Sequence, residues 1–385
     1  MTASLTVRFV DSEQAIPATL WEACLPPPLE GRWWYAALEQ SGLEEQFVFR
    51  YAVLCDGARP VGIAPFFLMD VPLDIVVPEV LLPLAKGLGH VFPALRHQRT
   101  LFVGSPCADE GSIGLLPEVD RREAFFVLQQ ALDREARRSG CPMLVWKDFP
   151  DAYAPDMRWL AARTGLFPMV SFPGTVAALP GPTMEDFFSA MKGTRRRQLK
   201  KKLRVSTASV AIDTQVIQHP DAPTLAEIFA LFWKTYEHAQ TKFERLDMAF
   251  FTAISRLPLA HFITLRHADT GEMLAFMLCF DMGERVINKY IGLDYGRPKE
   301  WSLYFRLWEA VVTWSLSRGA RMIQSGQTGY APKMEMGHTL VPLSNYCKHR
   351  NHIIHTIYKL VAKHITWDTL DPVLRHYTHE TTVPK

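Results

Sequence analysis

The sequence predicts an α/β fold in two similar halves. Strand-like runs rich in β-branched and aromatic residues alternate with stretches of three- and four-residue apolar spacing. The same layout of helices and strands recurs in the second half of the chain. Both late helices also close on one signal just ahead of a strand, Arg138-Ser139-Gly140 and Ser317-Arg318-Gly319. Glycine is favoured there because the residue past a helix end commonly takes positive φ. At 385 residues the chain exceeds one core of ordinary size. The expected division is a first domain over 1–180, a second over 181–350, and a C-terminal amphipathic helix with a tail over 351–385. The linker is placed at Ala178–Pro182, marked by the Leu179-Pro180-Gly181-Pro182 turn signal.

In the first half a helix is expected at residues 32–40, then strands at 47–55 and 60–69, a helix at 121–139 and a strand at 142–148. In the second half helices at 224–239 and 248–256 precede strands at 261–267, 273–281 and 285–293. A helix at 302–317 follows, with Leu303, Leu307, Ala310, Val311 and Trp314 on its apolar face. A strand at 320–324 and a final strand at 339–348 complete the set.

Composition excludes several classes. The chain is 48% hydrophobic and 21% charged, as in ordinary folded proteins. A net charge of +2 gives no global field for nucleic acid. The six cysteines lie far apart with no Cys-x-x-Cys pair, which indicates neither a zinc site nor a disulfide framework. No signal peptide and no uninterrupted apolar run of membrane-spanning length is evident. A cytoplasmic protein is expected, with peripheral attachment at the inner membrane as an option.

Three segments stand out. Residues 183–204 read as one helix, opened by Thr183 and Asp186 at capping spacing. Phe187, Phe188, Met191, Leu199 and Leu203 form its stripe, and Arg195 sits on that stripe. Lys192, Arg196, Arg197, Lys200, Lys201, Lys202 and Arg204 surround it. This is either a solvated basic face or a phosphate-recognition element, for which the planar arginine fork is suited. Residues 71–93 form an apolar loop broken by prolines. Such a surface packs on protein, holds an acyl chain or docks on a membrane. In residues 351–365, Ile353, Ile354, Ile357, Leu360, Val361 and Ile365 share a face with Lys359 and Lys363 beside it. That pattern suits a core-packed terminal helix or one lying on a membrane. His349, His352 and His355 read as basic surface residues rather than metal ligands, since no carboxylate joins them at useful spacing.

Residues 271–350 carry a Gly271-Glu272-x-x-Ala275-Phe276 hairpin and a Tyr290-x-Gly292-x-Asp294 strand end. They then carry a Gly326-Gln327-Thr328-Gly329 turn leading into Tyr330-x-x-Lys333, and a strand containing Tyr346. In this order they resemble the C-terminal half of the GNAT acyltransferase fold, in the FemAB-like variant. The resemblance covers about residues 180–350, and residues 30–180 by layout. It implies tandem GNAT-like domains, each a mixed twisted sheet flanked by helices. Two departures are clear. The turn lacks the Glu-His pair of many FemAB-like chains, and the Gly-rich pyrophosphate loop is missing before Ser302.

In the GNAT fold two neighbouring strands splay, a pantetheine-like arm enters the gap, and phosphate sits at the next helix N-terminus. The resemblance therefore implies donor contacts at Ser302, with Arg297 and Lys299 supplying charge, and Arg195, Arg196 and Lys200 adding phosphate contacts. Acyl transfer to an amine needs a base and oxyanion stabilisation. Tyr330 and Lys333 follow the turn, Gln327 is a polar donor, and Glu335, His338 and Asp294 are candidate bases. No Ser/His/Asp pattern or activated cysteine points to a covalent acyl-enzyme. The expected activity is N-acyl transfer from acyl-CoA, a co-substrate rather than a bound cofactor, to the amine of a lipidic or long-chain acceptor. The GNAT-like bacterial ceramide synthases exemplify such a role. The alternatives are FemAB-type transfer from aminoacyl-tRNA and an inactive GNAT-like binding module.

Overall fold

A computed structural model gives the fold and describes residues 5–72, 97–238 and 244–377. The chain divides into two units, one from residues 5–39, 43–173 and 342–377, the other from 40–42 and 174–341.

The first unit is a mixed sheet with helices. Its strands are β1 (Leu5–Val10), β2 (Val48–Asp56), β3 (Arg59–Pro72), β4 (His97–Val103), β5 (Gly114–Leu115), β6 (Met143–Pro150), β7 (Phe167–Val170) and β15 (Leu343–His349). The order is β1-β2-β3-β4-β6-β15-β7, with β5 paired on β3. Among the described residues only β4 and β6 run parallel. The crossover between them is α3 (Arg121–Arg138), after α1 (Ala18–Cys24) and α2 (Arg32–Glu39) and before α4 (Ala154–Thr164). A parallel pair needs such a crossover, and here it buries Phe125, Leu128 and Leu132 against Leu101, Leu144 and Trp146. The Trp146 indole donates to Gln129 at 2.7 Å, so no buried N–H is lost.

The second unit holds β8 (Gly174–Ala178), β9 (Ile212–Ile217), β10 (Ala260–His267), β11 (Met273–Asp281), β12 (Arg285–Leu293), β13 (Met322–Ser325) and β14 (Thr339–Val341), in the order β14-β8-β13-β12-β11-β10-β9. Its helices are α5 (Met184–Ser189), α6 (Gly193–Ser209), α7 (Ala222–His238), α8 (Met248–Ser255), α9 (Leu303–Ser317) and α10 (Tyr330–Glu335). Again one pair is parallel, β12 with β13, and α9 is its crossover. The two sheets share a plan. In each, the place next to the edge strand β7 or β14 is filled by the strand that follows the other half's last strand: β15 follows β14, and β8 follows β7.

That plan moves the boundaries. The chain enters the second sheet at Gly174, not at 181, and leaves it at Pro342, not at 350. The single strand expected at 339–348 is β14 and β15, separated at a proline that has no N–H for a ladder. The single helix expected at 183–204 is α5 and α6. The capping box of Thr183 and Asp186 opens α5 as expected. Phe187, Phe188 and Met191 are all buried, and the chain turns at Lys192 before α6 runs on to Ser209.

After β15 come α11 (His352–Ala362) and α12 (Trp367–Leu370). The apolar loop expected at 71–93 contributes Val71 and Pro72 to β3, and its remainder lies outside the described residues. All six cysteines are buried. No helix among the described residues is long and apolar enough to cross a membrane.

Candidate functional site

The parallel pair of the second unit parts after a short run. β12 and β13 match only over Arg285–Asn288 and Met322–Ser325. Beyond that β12 continues to Leu293 with β11 as its sole partner. The parting coincides with an irregularity. Leu278 lies opposite Tyr290 and Cys279 opposite Asn288, so Lys289 is an extra residue. A bulge bends and twists its strand, and the ladder with β13 ends at Ser325 while β12 runs on beside β11.

A buried polar network marks the apex. Asn288 donates through Nδ2 to Ser325 Oγ at 3.4 Å, and Ser325 Oγ faces His338 Nε2 at 3.4 Å. His338 Nδ1 lies 2.9 Å from the Lys333 carbonyl. A carbonyl only accepts, so Nδ1 carries the proton and Nε2 takes the Ser325 hydroxyl. The ring stands edge-on to Trp308, centroids 4.6 Å apart. Burial first, and the Lys333 charge second, push the His338 pKa down to about 3. His338, expected as a base, is 3% exposed and neutral with both nitrogens engaged. In this structure it positions the chain rather than facing a reactant.

The turn above the apex is pinned from two sides. Lys333 Nζ donates to the Gly326 carbonyl. The Thr175 hydroxyl donates to the carbonyls of Ser325 at 3.1 Å and Gly326 at 3.4 Å. Thr328 and Gly329 are both left-handed, φ 72 and 61. For a β-branched residue this is strain, and such strain collects at functional sites. Gln327 Nε2 is buried and has no hydrogen-bond partner among the described residues. It is a donor without a partner among those residues, in the turn after β13. Tyr330 is 1% exposed, so it packs under the turn instead of lining an open surface.

A cleft of about 600 Å³ lies at the head of α9, lined by Gln198, Lys201, Lys202, Val205, Ser302 and Glu335. Ser302 is left-handed at φ 46, and the first turn of α9 has no side-chain cap. Its leading N–H groups and dipole therefore favour an anion. Lys202 bonds the Glu335 carboxylate and lies 4.1 Å over the Phe305 ring. Lys201 is exposed and makes no ion pair among the described residues. Arg195 precedes Lys202 by about two helical turns on nearly the same face, half-buried like Arg196 and equally unpaired among the described residues.

Other expected residues are engaged elsewhere. Lys200 pairs with Glu185 at 2.7 Å and lies over Phe188, so it is committed to α5. Arg297 is held by Asp294 at 2.7 Å and by Glu272, so its charge is already neutralised. Lys299 is exposed in the turn before Ser302. Burial alone would raise the Asp294 carboxyl, but the Arg297 bond, the Gly296 N–H and Lys234 bring it below the ordinary aspartate value. Asp294 is thus an ion-paired carboxylate and a weak base. Sequence reasoning left out Asn288, Ser325, Thr175 and Gln198. Asn288 carried a signal, as a polar residue inside the apolar strand Val286-Ile287-Asn288.

The sequence matches no family model and no curated protein. Solved structures do resemble it. FemX superimposes with a TM-score of 0.57 at 11% identity, over 91% of this chain and 100% of that one. L-PGS from Bacillus licheniformis gives 0.51 at 11% identity, over 80% and 86%. A tandem GNAT protein from the clavulanic acid biosynthesis pathway gives 0.50 at 13% identity, over 90% and 99%. At these identities the likeness establishes the fold: two mixed sheets flanked by helices, in the tandem GNAT-like arrangement.

Proposed function

We propose that this chain is an N-acyltransferase taking its acyl group from acyl-CoA and delivering it to the amine of a lipidic or long-chain acceptor. The observation behind the reading is that β12 runs on past the end of its ladder with β13, with an anion-favouring cleft at the head of the next helix. In this reading the β12 backbone beyond Asn288 offers N–H and C=O groups to an amide-bearing arm, and Ser302 with Lys201 and Lys299 suits its phosphates. The acceptor nitrogen, having lost its ammonium proton, attacks the thioester carbonyl. The C–N bond forms, the C–S bond breaks, and the thiolate takes up a proton. Gln327 Nε2 donates to the developing oxyanion, a contact worth about 3 kcal/mol where such donors have been removed. Glu335, the carboxylate lining the cleft, is the proton acceptor in this scheme.

A second reading, transfer from aminoacyl-tRNA, draws on α6. Its cations run from Arg195 to Arg204 of the 17-residue helix, further than one pyrophosphate requires. The deciding assay incubates purified protein with an acyl-CoA panel and with charged tRNA, each with and without long-chain amines. Product from acyl-CoA alone supports the first reading, and product from tRNA alone replaces it. No product from either leaves the binding-module reading.

Two substitutions refine the assay. Lys333→Ala releases the Gly326 carbonyl and is expected to lower turnover at least about tenfold, or about 1.4 kcal/mol of transition-state stabilisation. Wild-type turnover in a folded variant removes Lys333 from the site. Arg195→Ala is expected to raise the donor KM several-fold with kcat and melting temperature nearly unchanged. An unaltered KM places Arg195 on a solvated face.

A further inference from the structure

The first unit carries a second basic cavity, of about 320 Å³, where the ends of α3 and β15 meet the start of α11. Arg137, Lys348, His349, Arg350, His352 and His355 line it. Lys348 is balanced by Asp133 at 2.7 Å. Arg137 and Arg350 are exposed and have no ion pair among the described residues. His349 is only 5% exposed, so it is not the surface residue its sequence spacing indicated. Its Nδ1 faces both the N–H of Asn351 at 3.0 Å and the carbonyl of Asn351 at 3.2 Å, and His355 Nδ1 accepts from the His349 N–H at 3.3 Å. The His355 ring is thereby placed as an Nε2–H donor, and burial is the main cause of the lowered pKa values of both rings. The first N–H groups of α11 are already used by the Asn351 side chain. The cavity's preference for an anion therefore rests on its side chains: the guanidinium forks of Arg137 and Arg350 and the His355 imidazole donor.

The helix that forms one wall has an apolar face turned outward. Tyr358 and Ala362 of α11 pack on Phe167 and Met169. Ile353, Ile357 and Leu360 are 72%, 44% and 54% exposed, at spacings of four and three residues on one face. Lys359 and Lys363 flank that face and are exposed. A soluble anion accounts for the cavity but leaves the isoleucines in water. An anionic lipid accounts for both, with its phosphate in the cavity and its chains beside the apolar face.

We infer that this surface docks on anionic bilayers, the phosphodiester headgroup entering the cavity between Arg137 and Arg350 while Ile353, Ile357 and Leu360 enter the acyl boundary. The site lies in the first unit and does not depend on the transfer reaction. The test is co-sedimentation of the full chain with phosphatidylglycerol/phosphatidylcholine vesicles and with pure phosphatidylcholine vesicles. Binding is expected to the anionic vesicles and to be at least about tenfold weaker to the neutral ones, consistent with roughly 1 kcal/mol per basic residue near the surface. Arg137→Glu with Arg350→Glu, and separately Ile353→Asp with Ile357→Asp, are each expected to abolish most binding. Arg256→Glu, an exposed charge reversal elsewhere, is expected to leave it unchanged. All substituted positions are exposed, and circular dichroism checks that each variant folds. Absence of vesicle binding overturns the inference, as does equal binding to both vesicles. Full binding by the isoleucine variant, with competition by glycerol phosphate, also overturns it and assigns the cavity to a soluble phosphate.

Discussion

Gly292→Ala is expected to destabilise the protein by about 2 kcal/mol or more. Gly292 lies on β12, paired with Phe276 of β11. A Cβ there would meet the Phe276 ring at 2.3 Å, the backbone carbon of Leu231 at 2.7 Å and Leu231 Cβ at 2.8 Å. Leu231 belongs to α7, so the missing side chain is what lets that helix seat on the strand. Two of the three obstacles lie at or next to helix backbone and cannot rotate away. Overpacking of this kind costs about 1–3 kcal/mol and sometimes more. Alanine recovers under about 1 kcal/mol through the unfolded chain, so the steric term wins. Gly193→Ala is the control. It lies at the start of α6 with nothing within 4 Å, and its substitution is expected to be neutral or stabilising. Urea denaturation of both variants checks this. Equal midpoints for Gly292→Ala and wild type would mean that α7 moves freely over β12, contrary to the packing described.

The contrast between these glycines shows how much a sequence can tell. The Tyr290-x-Gly292-x-Asp294 motif was legible as a pattern, but its cause lies in α7, some sixty residues earlier in the chain. Locally determined features read well. The hairpins around β11 follow from apolar runs closed by Gly271 and Gly283, and the start of α5 follows from Thr183 and Asp186. Features set by distant pairing did not. Residues 339–348 read as one strand across Pro342, and nothing local says that β15 joins β6 and β7 while β14 stays with β8. The site divides the same way. Gln327 and Lys333 could be named from their place after a Gly-rich turn. Arg297 was offered as a cation near the donor phosphates, and its ion pair with Glu272 could not be foreseen because Glu272 lies on another segment. His338 was read as a base because the Trp308 ring and the Ser325 hydroxyl come from elements far from it in sequence.

That burial of His338 gives the chain an expected acid sensitivity near neutral pH. The imidazole is neutral in the fold with its pKa pushed down to about 3, whereas an unfolded histidine titrates near 6.5. Its folded pKa is depressed, so the contribution is fully present above about 6.5 and is lost as pH falls toward 3. Within that window the unfolded chain binds the proton and the folded chain does not. Stability then falls by about 1.4 kcal/mol per pH unit from this group, or roughly 2 kcal/mol by pH 5. His338→Asn isolates the effect. The asparagine amide replaces the Nδ1–H bond to the Lys333 carbonyl and does not titrate. The variant is expected to be less stable at pH 7, since Ser325 and Trp308 lose their partner. Its stability should nevertheless fall less steeply between pH 6.5 and 4.5 than that of wild type. Carboxylates and the other histidines titrate in both proteins and cancel in the difference. Denaturant unfolding at half-unit pH intervals measures the two curves. Parallel curves would show that His338 takes up its proton in the folded state, and the neutral, doubly bonded ring at the apex of the parted strands would have to be abandoned.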